Sequence, residues 1–272
     1  MNWSLVAKVL IVAMLVGGVT WITSYRSVPK ATQQLLQLRG YESGQRGLFA
    51  AVAARDLPSI NAFLDSGLDV NVKNPTDGRT PLITAAAQGS FAVVEMLLQR
   101  HPDVNVKDKS GATALFAAIA TRYDDVADLL LAQPGLDLNA RGNNGITALA
   151  SYVWRDNKDN ATELIKRGAD VNLADNDGDT PLHGAAQTGN VDVMQLLIEK
   201  GANPNARNSV GGTPLMWAAV YNNEDAAKVL LKAGADPLMQ DNDGKTAAAW
   251  ATKNEHEDLA QFLKSTKRRT RD

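Results

Sequence analysis

One stretch of the sequence, DGDTPLHGAAQTGN at residues 177–190, concentrates side chains that could do chemistry. Asp177 and Asp179 flank a glycine, Asp175 precedes them, and His183 follows as one of the 3 histidines of the chain. Carboxylates and an imidazole at this spacing could ligate a metal ion or act in general acid–base catalysis. Whether the stretch is reactive depends on the elements that position it.

A calcium loop is the most specific reactive interpretation, because DNDG occurs twice in the chain. Such a loop needs an acid at its first position and a glutamate at its twelfth. With the glycine as position six, these positions hold Leu173 and Gly184 in the first copy and Met239 and Trp250 in the second. Neither copy fits, so both are predicted to be hairpin turns.

Other catalytic signatures are missing as well. The chain has no cysteine, no G-x-S-x-G, no phosphate loop and no H-E-x-x-H. The formal net charge of −2 gives no global field that points to nucleic acid or to an acidic substrate. We therefore predict no catalytic residue, no metal, no cofactor, no small-molecule substrate and no nucleic-acid partner.

A threonine recurs along the chain at a nearly constant spacing. By subtraction, Thr147, Thr180 and Thr213 lie 33 residues apart, and an asparagine that ends a short Asp/Ala-x-Asn unit recurs in the same register. Two linked motifs at one period indicate a repeat protein, in which each unit buries its apolar face against its neighbours. The full sets are Thr80, Thr113, Thr147, Thr180, Thr213 and Thr246, and Asn71, Asn105, Asn139, Asn172 and Asn205.

Each unit predicts two short helices and a hairpin. Thr180 suits the N-cap of a first helix, and Pro181 suits the first helical position, where a missing N–H costs nothing. Gly189 is placed to end that helix in a left-handed conformation. A second helix with an apolar face follows at 191–200 and ends at Gly201.

This pattern resembles the ankyrin-repeat family, whose motif D-G-x-T-P-L-H-x-A-A-x-x-G-x-x-x-V-x-x-L-L-x-x-G-A-D-V-N is matched almost throughout by residues 177–205. The resemblance implies an all-α solenoid over 44–265, with a helix–turn–helix and a hairpin per repeat. It also implies that His183 makes structural hydrogen bonds and that a protein partner binds in a concave groove. The seven repeats, with degenerate caps at both ends, span 44–76, 77–109, 110–143, 144–176, 177–209, 210–242 and 243–265.

Departures from the pattern at the end of the first helix suggest where a partner binds. In repeats 3 and 4 the glycine is lost, and arginine and aromatic residues cluster there; such residues are frequent interface anchors. The alternative is that these aromatics fill gaps inside, as we expect of Tyr152 and Trp217. The predicted protein-binding strip consists of Arg122, Tyr123, Trp154, Arg155, Gln187, Thr188, Val220 and Tyr221.

Residues 1–28 form a separate segment, which is uncharged from Val9 to Ser24. A membrane-spanning helix needs about 20 apolar residues, and the segment reaches that length if Lys8 snorkels to the head groups. We predict an N-terminal membrane anchor. A cleaved signal segment is the alternative, although no A-x-A site is present; a buried helix is a third. A linker at 29–43 follows.

The function predicted from these features is a monomeric, non-enzymatic protein-binding scaffold, tethered to a membrane or exported. We expect it in the cell envelope, anchored in the inner membrane and facing the periplasm or secreted into it. The positive-inside rule supports the alternative of cytoplasmic repeats, because Arg26 and Lys30 follow the apolar segment. Resemblance to exported bacterial ankyrin proteins leaves open an immunity or accessory role toward an envelope enzyme or toxin. Contact with lipid or nucleic acid through 1–28 and the basic tail at 266–272 is a further alternative.

Overall fold

The structure, a computed structural model, describes residues 34–269. The predicted anchor at 1–28 lies outside the described residues. Within 34–269, no helix has both the length and the apolar character needed to cross a bilayer. Regular structure in this part of the chain is helical, and one isolated bridge pairs Arg141 with Thr147.

Seven helix pairs follow a short helical stretch at 34–38, which confirms the predicted all-α repeat architecture. The first helix of each pair is called inner and the second outer. The last helix runs to Arg269, beyond the predicted end of the repeats at 265, so the polar tail begins inside a helix. In chain order the helices are α1 Gln45–Ala53, α2 Leu57–Asp65, α3 Pro81–Ala87, α4 Phe91–Leu98, α5 Ala114–Ala120, α6 Asp124–Leu131, α7 Ala148–Trp154, α8 Lys158–Lys166, α9 Pro181–Thr188, α10 Val191–Glu199, α11 Pro214–Val220, α12 Glu224–Lys232, α13 Ala247–Lys253 and α14 Glu257–Arg269.

The inner helices begin and end as the repeat pattern predicts. The hydroxyls of Thr80 and Thr147 each accept the backbone N–H three residues on, at 3.2 Å, which satisfies one of the free donors at a helix start. After the helix, a residue in the left-handed region reverses the chain. Gly189 does so with φ 73°, while Arg122 and Asn222 take φ 64° and 57° in the same turn. The turn therefore survives without glycine, at a modest backbone cost.

The core depends on small residues where the inner helices meet. Ala85, Ala185 and Ala218 are fully buried there, so the inner helices approach one another more closely than the outer helices do. The stack therefore curves toward its inner helices. Tyr152 replaces the alanine in repeat 4 and is also fully buried, as predicted. Burial raises the pKa of the Tyr152 hydroxyl, which has no hydrogen-bond partner within the described residues.

The recurring asparagine links each repeat to the next. The Oδ1 atom of Asn105 accepts the backbone N–H of Asp137 at 2.8 Å, and its Nδ2 atom donates to the carbonyl of Gly135 at 2.8 Å. Asn172 and Asn205 repeat both bonds. The side-chain amide thus satisfies one donor and one acceptor of the neighbouring loop, and this explains why asparagine recurs at the position.

Among the described repeats, the joint between repeats 3 and 4 lacks a backbone bond that the other joints between hairpin-bearing repeats have. Elsewhere, neighbouring hairpin tips share a backbone bond, for example between the Ser209 N–H and the Asp177 carbonyl at 2.8 Å. Within the described residues, the tips of repeats 3 and 4 share none, and Asn139 makes only the acceptor half of its pair. Side chains span the joint instead: Arg155 donates to the Ile119 carbonyl at 2.7 Å, and the Asn160 amide donates to the Asp128 carboxylate at 3.1 Å. Ordering a long arginine side chain costs conformational entropy that a bond between two backbone groups of fixed turns does not.

We predict that hydrogen exchange is faster in the protected helices of 110–176 than in those of 177–242. Contacts in a repeat stack are made between nearest neighbours, so a joint that lacks the backbone bond between hairpin tips should open at a lower free energy. Native-state hydrogen exchange read by mass spectrometry measures this difference. Equal protection of the two regions would contradict the prediction.

Candidate protein-binding groove

The inner helices and the hairpins line the concave side of the stack, which we call the groove. Trp154, Gln187 and Val220 occupy one repeat position on α7, α9 and α11, and each is partly exposed. The next residues in the chain form a parallel row beside them. The structure therefore brings together six of the eight residues of the predicted strip: Trp154, Arg155, Gln187, Thr188, Val220 and Tyr221.

Arg122 and Tyr123 do not belong to these rows, which corrects the predicted strip. Helix α5 ends at Ala120, so Arg122 occupies the left-handed turn after it and Tyr123 caps the outer helix α6. The ring of Tyr123 lies against Gly89, at the turn between the inner and outer helices of repeat 2. Both residues therefore lie at the edge of the groove, two positions beyond the rows of Trp154 and Arg155.

Three aromatic residues form a continuous cluster in the groove: Trp154, Trp217 and Tyr221. The rings of Trp154 and Trp217 meet edge to face, with centroids 5.6 Å apart, and Trp217 stacks on Tyr221 at 5.9 Å. Trp154 belongs to repeat 4 and Trp217 to repeat 6, and Gly184 of repeat 5 lies between them. A Cβ atom on residue 184 would lie 3.2 Å from three atoms of the Trp154 indole. The missing side chain thus allows the two indoles to meet across a repeat.

The burial of this aromatic cluster differs from that expected from sequence. Trp154 is half-buried against Gly184 and Trp217, and Trp217 is itself only partly buried. Tyr221 is 47% exposed, so the cluster reaches the surface. Sequence reasoning assigned Trp217 to packing alone. One sequence signal could have revealed the contact between the indoles. Gly184 stands at the repeat position of Trp217, 33 residues earlier, and leaves room beside the Trp217 ring.

A cavity of about 400 Å³ adjoins Trp154. Its hairpin wall carries Asp175, Asp177 and Asp179, which we call the carboxylate hairpin. Asp179 is only 7% exposed, and its carboxylate accepts a hydrogen bond from the Asn208 side-chain amide at 2.9 Å. Burial and the two neighbouring carboxylates raise the pKa of Asp179. Sequence reasoning treated these acids as turn residues and did not connect them with Trp154.

The opposite wall of the cavity carries Arg122 and Arg155. The guanidinium of Arg155 lies 3.4 Å from the carboxylate of Asp124 while it also bonds to the Ile119 carbonyl. Its charge is therefore engaged within the chain. Arg122, by contrast, is exposed. The cavity is thus acidic along the hairpin and basic at the far edge.

His183 is fully buried and makes hydrogen bonds within the scaffold. Its Nδ1 atom accepts the backbone N–H of Thr180 at 3.1 Å, which places the ring proton on Nε2. Nε2 then donates to the Gly212 carbonyl in the hairpin of the next repeat, at 3.2 Å. Burial lowers the pKa of His183 to about 4, so the ring is neutral at pH 7. His183 thus makes the structural hydrogen bonds that the family resemblance implied, and one of them links two repeats.

The acids near His183 do not combine with it into a metal centre. Between residues 34 and 269, no three histidine, aspartate or glutamate side chains converge on a point where they could hold a metal ion. Asp175 uses its carboxylate to accept the N–H groups of Asp177 and Asp179 at 2.9 Å. These bonds are the ones expected of a hairpin turn.

Comparison with known proteins identifies the repeat. A family model for ankyrin repeats, in three copies, matches residues 48–142, 147–241 and 208–270. Among solved structures, the chain is similar to the ankyrin repeat domain of Bcl-3, described as a unique member of the IkappaB protein family. The two are 29% identical with a TM-score of 0.64, over 81% of this chain and 100% of that one. No curated protein sequence matches the chain.

We predict that replacing His183 with glutamine makes stability less dependent on pH. The folded-state pKa of about 4 lies below the ordinary histidine value of 6.5, so the unfolded chain binds more protons between these values. Stability is full above pH 6.5 and falls as the pH drops toward 4. Between pH 7 and 4.5, the wild type should lose about 2 kcal/mol more than His183→Gln, measured by urea unfolding. Equal losses would contradict a buried neutral ring.

Proposed function

Because this chain belongs to the ankyrin-repeat family, we propose that it is a non-enzymatic scaffold that binds another protein in its groove. We further propose that residues 1–28 hold the scaffold at a membrane, with the repeats outside the bilayer. Ankyrin repeats generally mediate binding between proteins. The fold is shared by 609 matching chains of solved structure, so the specific proposal depends on the groove residues of this chain.

The aromatic cluster of Trp154, Trp217 and Tyr221 is the observation that supports this function. Protein interfaces are dominated by a few tryptophan, tyrosine and arginine residues near their centre. Here two indoles and a phenol are in contact in the groove, and the phenol is 47% exposed. The contacts between the rings hold them in place before a partner arrives, which reduces the entropy lost on binding.

The scaffold leaves these positions free to contact a partner. The buried alanines of the inner helices form what we call the alanine columns, and the recurring asparagines form the asparagine ladder. Both sets, together with the cap threonines, are used to form and stack the repeats. The positions of Trp154 and Tyr221 carry Gln187 and Thr188 in repeat 5, so the fold does not require an aromatic residue at either. Aromatic residues there are therefore better explained by binding than by folding.

The membrane tether is supported by the uncharged run from Val9 to Ser24. With Lys8 snorkelling to the head groups, the segment reaches the roughly 20 residues that a membrane anchor needs. The described residues begin after it and form a closed core of their own. The anchor would concentrate the scaffold near a partner at the same membrane and need not contribute to the fold.

We predict that Trp154→Gln combined with Tyr221→Thr weakens partner binding by about 30-fold or more. Both substitutions insert the residue that repeat 5 carries at the same position, so the helices should keep their packing. A 30-fold loss corresponds to about 2 kcal/mol, as expected for central aromatic anchors. The measurement is a pulldown from solubilised membranes of the source cells, with quantitative mass spectrometry of the retained proteins.

The matched control is Glu163→Ala with Lys166→Ala on the outer helix α8, where both side chains are exposed. These substitutions should leave retention unchanged. If the control pair abolishes retention and the groove pair does not, the partner binds the convex side, and the groove proposal is wrong.

Deleting residues 1–28 should release the protein from membranes without changing the helix content of the repeats. The repeats bury their own core, so the deletion removes no described packing contact. Membrane fractionation and circular dichroism measure the two quantities. A truncated chain that unfolds or aggregates would show that the segment belongs to the folded domain.

A further inference from the structure

We infer that the cavity between the carboxylate hairpin and Trp154 receives a lysine or arginine side chain of the bound protein. The inference rests on the proposed function and specifies which chemistry the groove selects. Its starting point is the aromatic cluster, which offers an apolar surface in the groove, and its adjoining cavity of about 400 Å³, which is large enough for a long side chain.

Charge complementarity selects a cation. Three carboxylates, those of Asp175, Asp177 and Asp179, line the hairpin wall, and within the described residues none of them forms an ion pair. Asp179 is 7% exposed, with only a neutral amide as its side-chain partner. A buried carboxylate beside two others is destabilised until a positive charge approaches. A cationic side chain from a partner would supply that charge.

Other repeats of the same chain supply this cation internally. At the position of Asp179, repeat 2 carries Arg79, which lies 3.5 Å from the carboxylate of Asp108, and repeat 7 carries Lys245, which bonds to Asp243 at 2.8 Å. Repeat 5 places an aspartate at this position, so its hairpin gains an acid where the hairpins of repeats 2 and 7 gain a base. Within the described residues, the negative charge of the carboxylate hairpin beside Trp154 is therefore not balanced by a cation of the chain.

The terminal repeat shows two cations held over an indole. The ammonium groups of Lys245 and Lys253 lie 5.0 Å and 4.5 Å from the ring centroid of Trp250. Trp217 occupies the equivalent position 33 residues earlier, where Gly212 and Val220 replace the two lysines. An indole attracts a cation positioned over its face within about 6 Å. The aromatic cluster thus contains the equivalent indole without the two lysines, and the nearest equivalent acids are those of the carboxylate hairpin in repeat 5.

The far edge of the cavity limits the orientation of the bound side chain. Arg155 is paired with Asp124, but Arg122 is exposed and would repel a second cation. The basic side chain therefore enters along the hairpin wall, between Asp177 and Trp154. An acidic side chain would instead have to approach Arg122 while facing three carboxylates.

A selection of random twelve-residue peptides displayed on yeast, sorted against the full-length chain in detergent micelles, tests the inference. We expect the peptides whose binding is lost in Trp154→Gln to share a lysine or arginine. The double variant Asp177→Asn with Asp179→Asn should weaken their binding at least about tenfold. Replacing the shared basic residue by glutamine should weaken binding to wild type equally and add little in the double variant.

Two matched controls separate this effect from net charge. Asp159→Asn with Glu163→Gln removes the same two charges from the exposed face of the outer helix α8 and should leave binding unchanged. Arg122→Gln should leave it unchanged or strengthen it. Thermal melts of every variant establish that it is folded.

The outcomes distinguish the inference from the proposed function. If Trp154→Gln abolishes binding while the double aspartate variant does not, the groove binds proteins but the cationic side chain is wrong. If Arg122→Gln weakens binding and the double aspartate variant strengthens it, the cavity takes an acid, which also overturns the inference. If no selected peptide depends on Trp154 or Tyr221, both the inference and the groove proposal fail.

Discussion

The structure depends on one constraint: no repeat can bury its apolar surface without a neighbour in a fixed register. The alanine columns set how closely the inner helices approach, and the asparagine ladder sets how far each loop is displaced from the next. Because both devices act between adjacent units, the chain must return to the same position about every 33 residues. The residues that recur in the sequence are explained by this requirement, and the positions that vary between repeats are available for function.

This division explains what could be predicted from the sequence. The cap threonines, the glycine turns and the asparagines have local or nearest-neighbour roles, so their period was sufficient to place seven helix pairs. The burial of Tyr152 followed from its place among alanines. The misplacement of Arg122 and Tyr123 arose because they were grouped with Trp154 by residue type. Their positions along the turn, which the end of α5 at Ala120 determines, separate them from it.

The rest of the site could not be predicted, because it depends on distances across repeats. Contact between Trp154 and Trp217 requires that the intervening residue be Gly184 and that the stack curve toward its inner helices. The proximity of Asp179 to Trp154 depends on where a hairpin lies relative to the preceding inner helix. Neither contact recurs from repeat to repeat. A comparison of the repeats therefore identifies these residues as unusual but does not show that they lie close together.

The joint between repeats 3 and 4 has a mechanical consequence. In the described part of the chain, it lacks the bond between hairpin tips that the other joints between hairpin-bearing repeats have, so side chains provide most of its hydrogen bonds. The cavity straddles it, since Ile119 and Ala120 belong to repeat 3 and Trp154 to repeat 4. A molecule held across that cavity would add contacts between the two repeats at the joint where the tip bond is missing. Occupancy would therefore stiffen this joint and need not change the structure of either repeat.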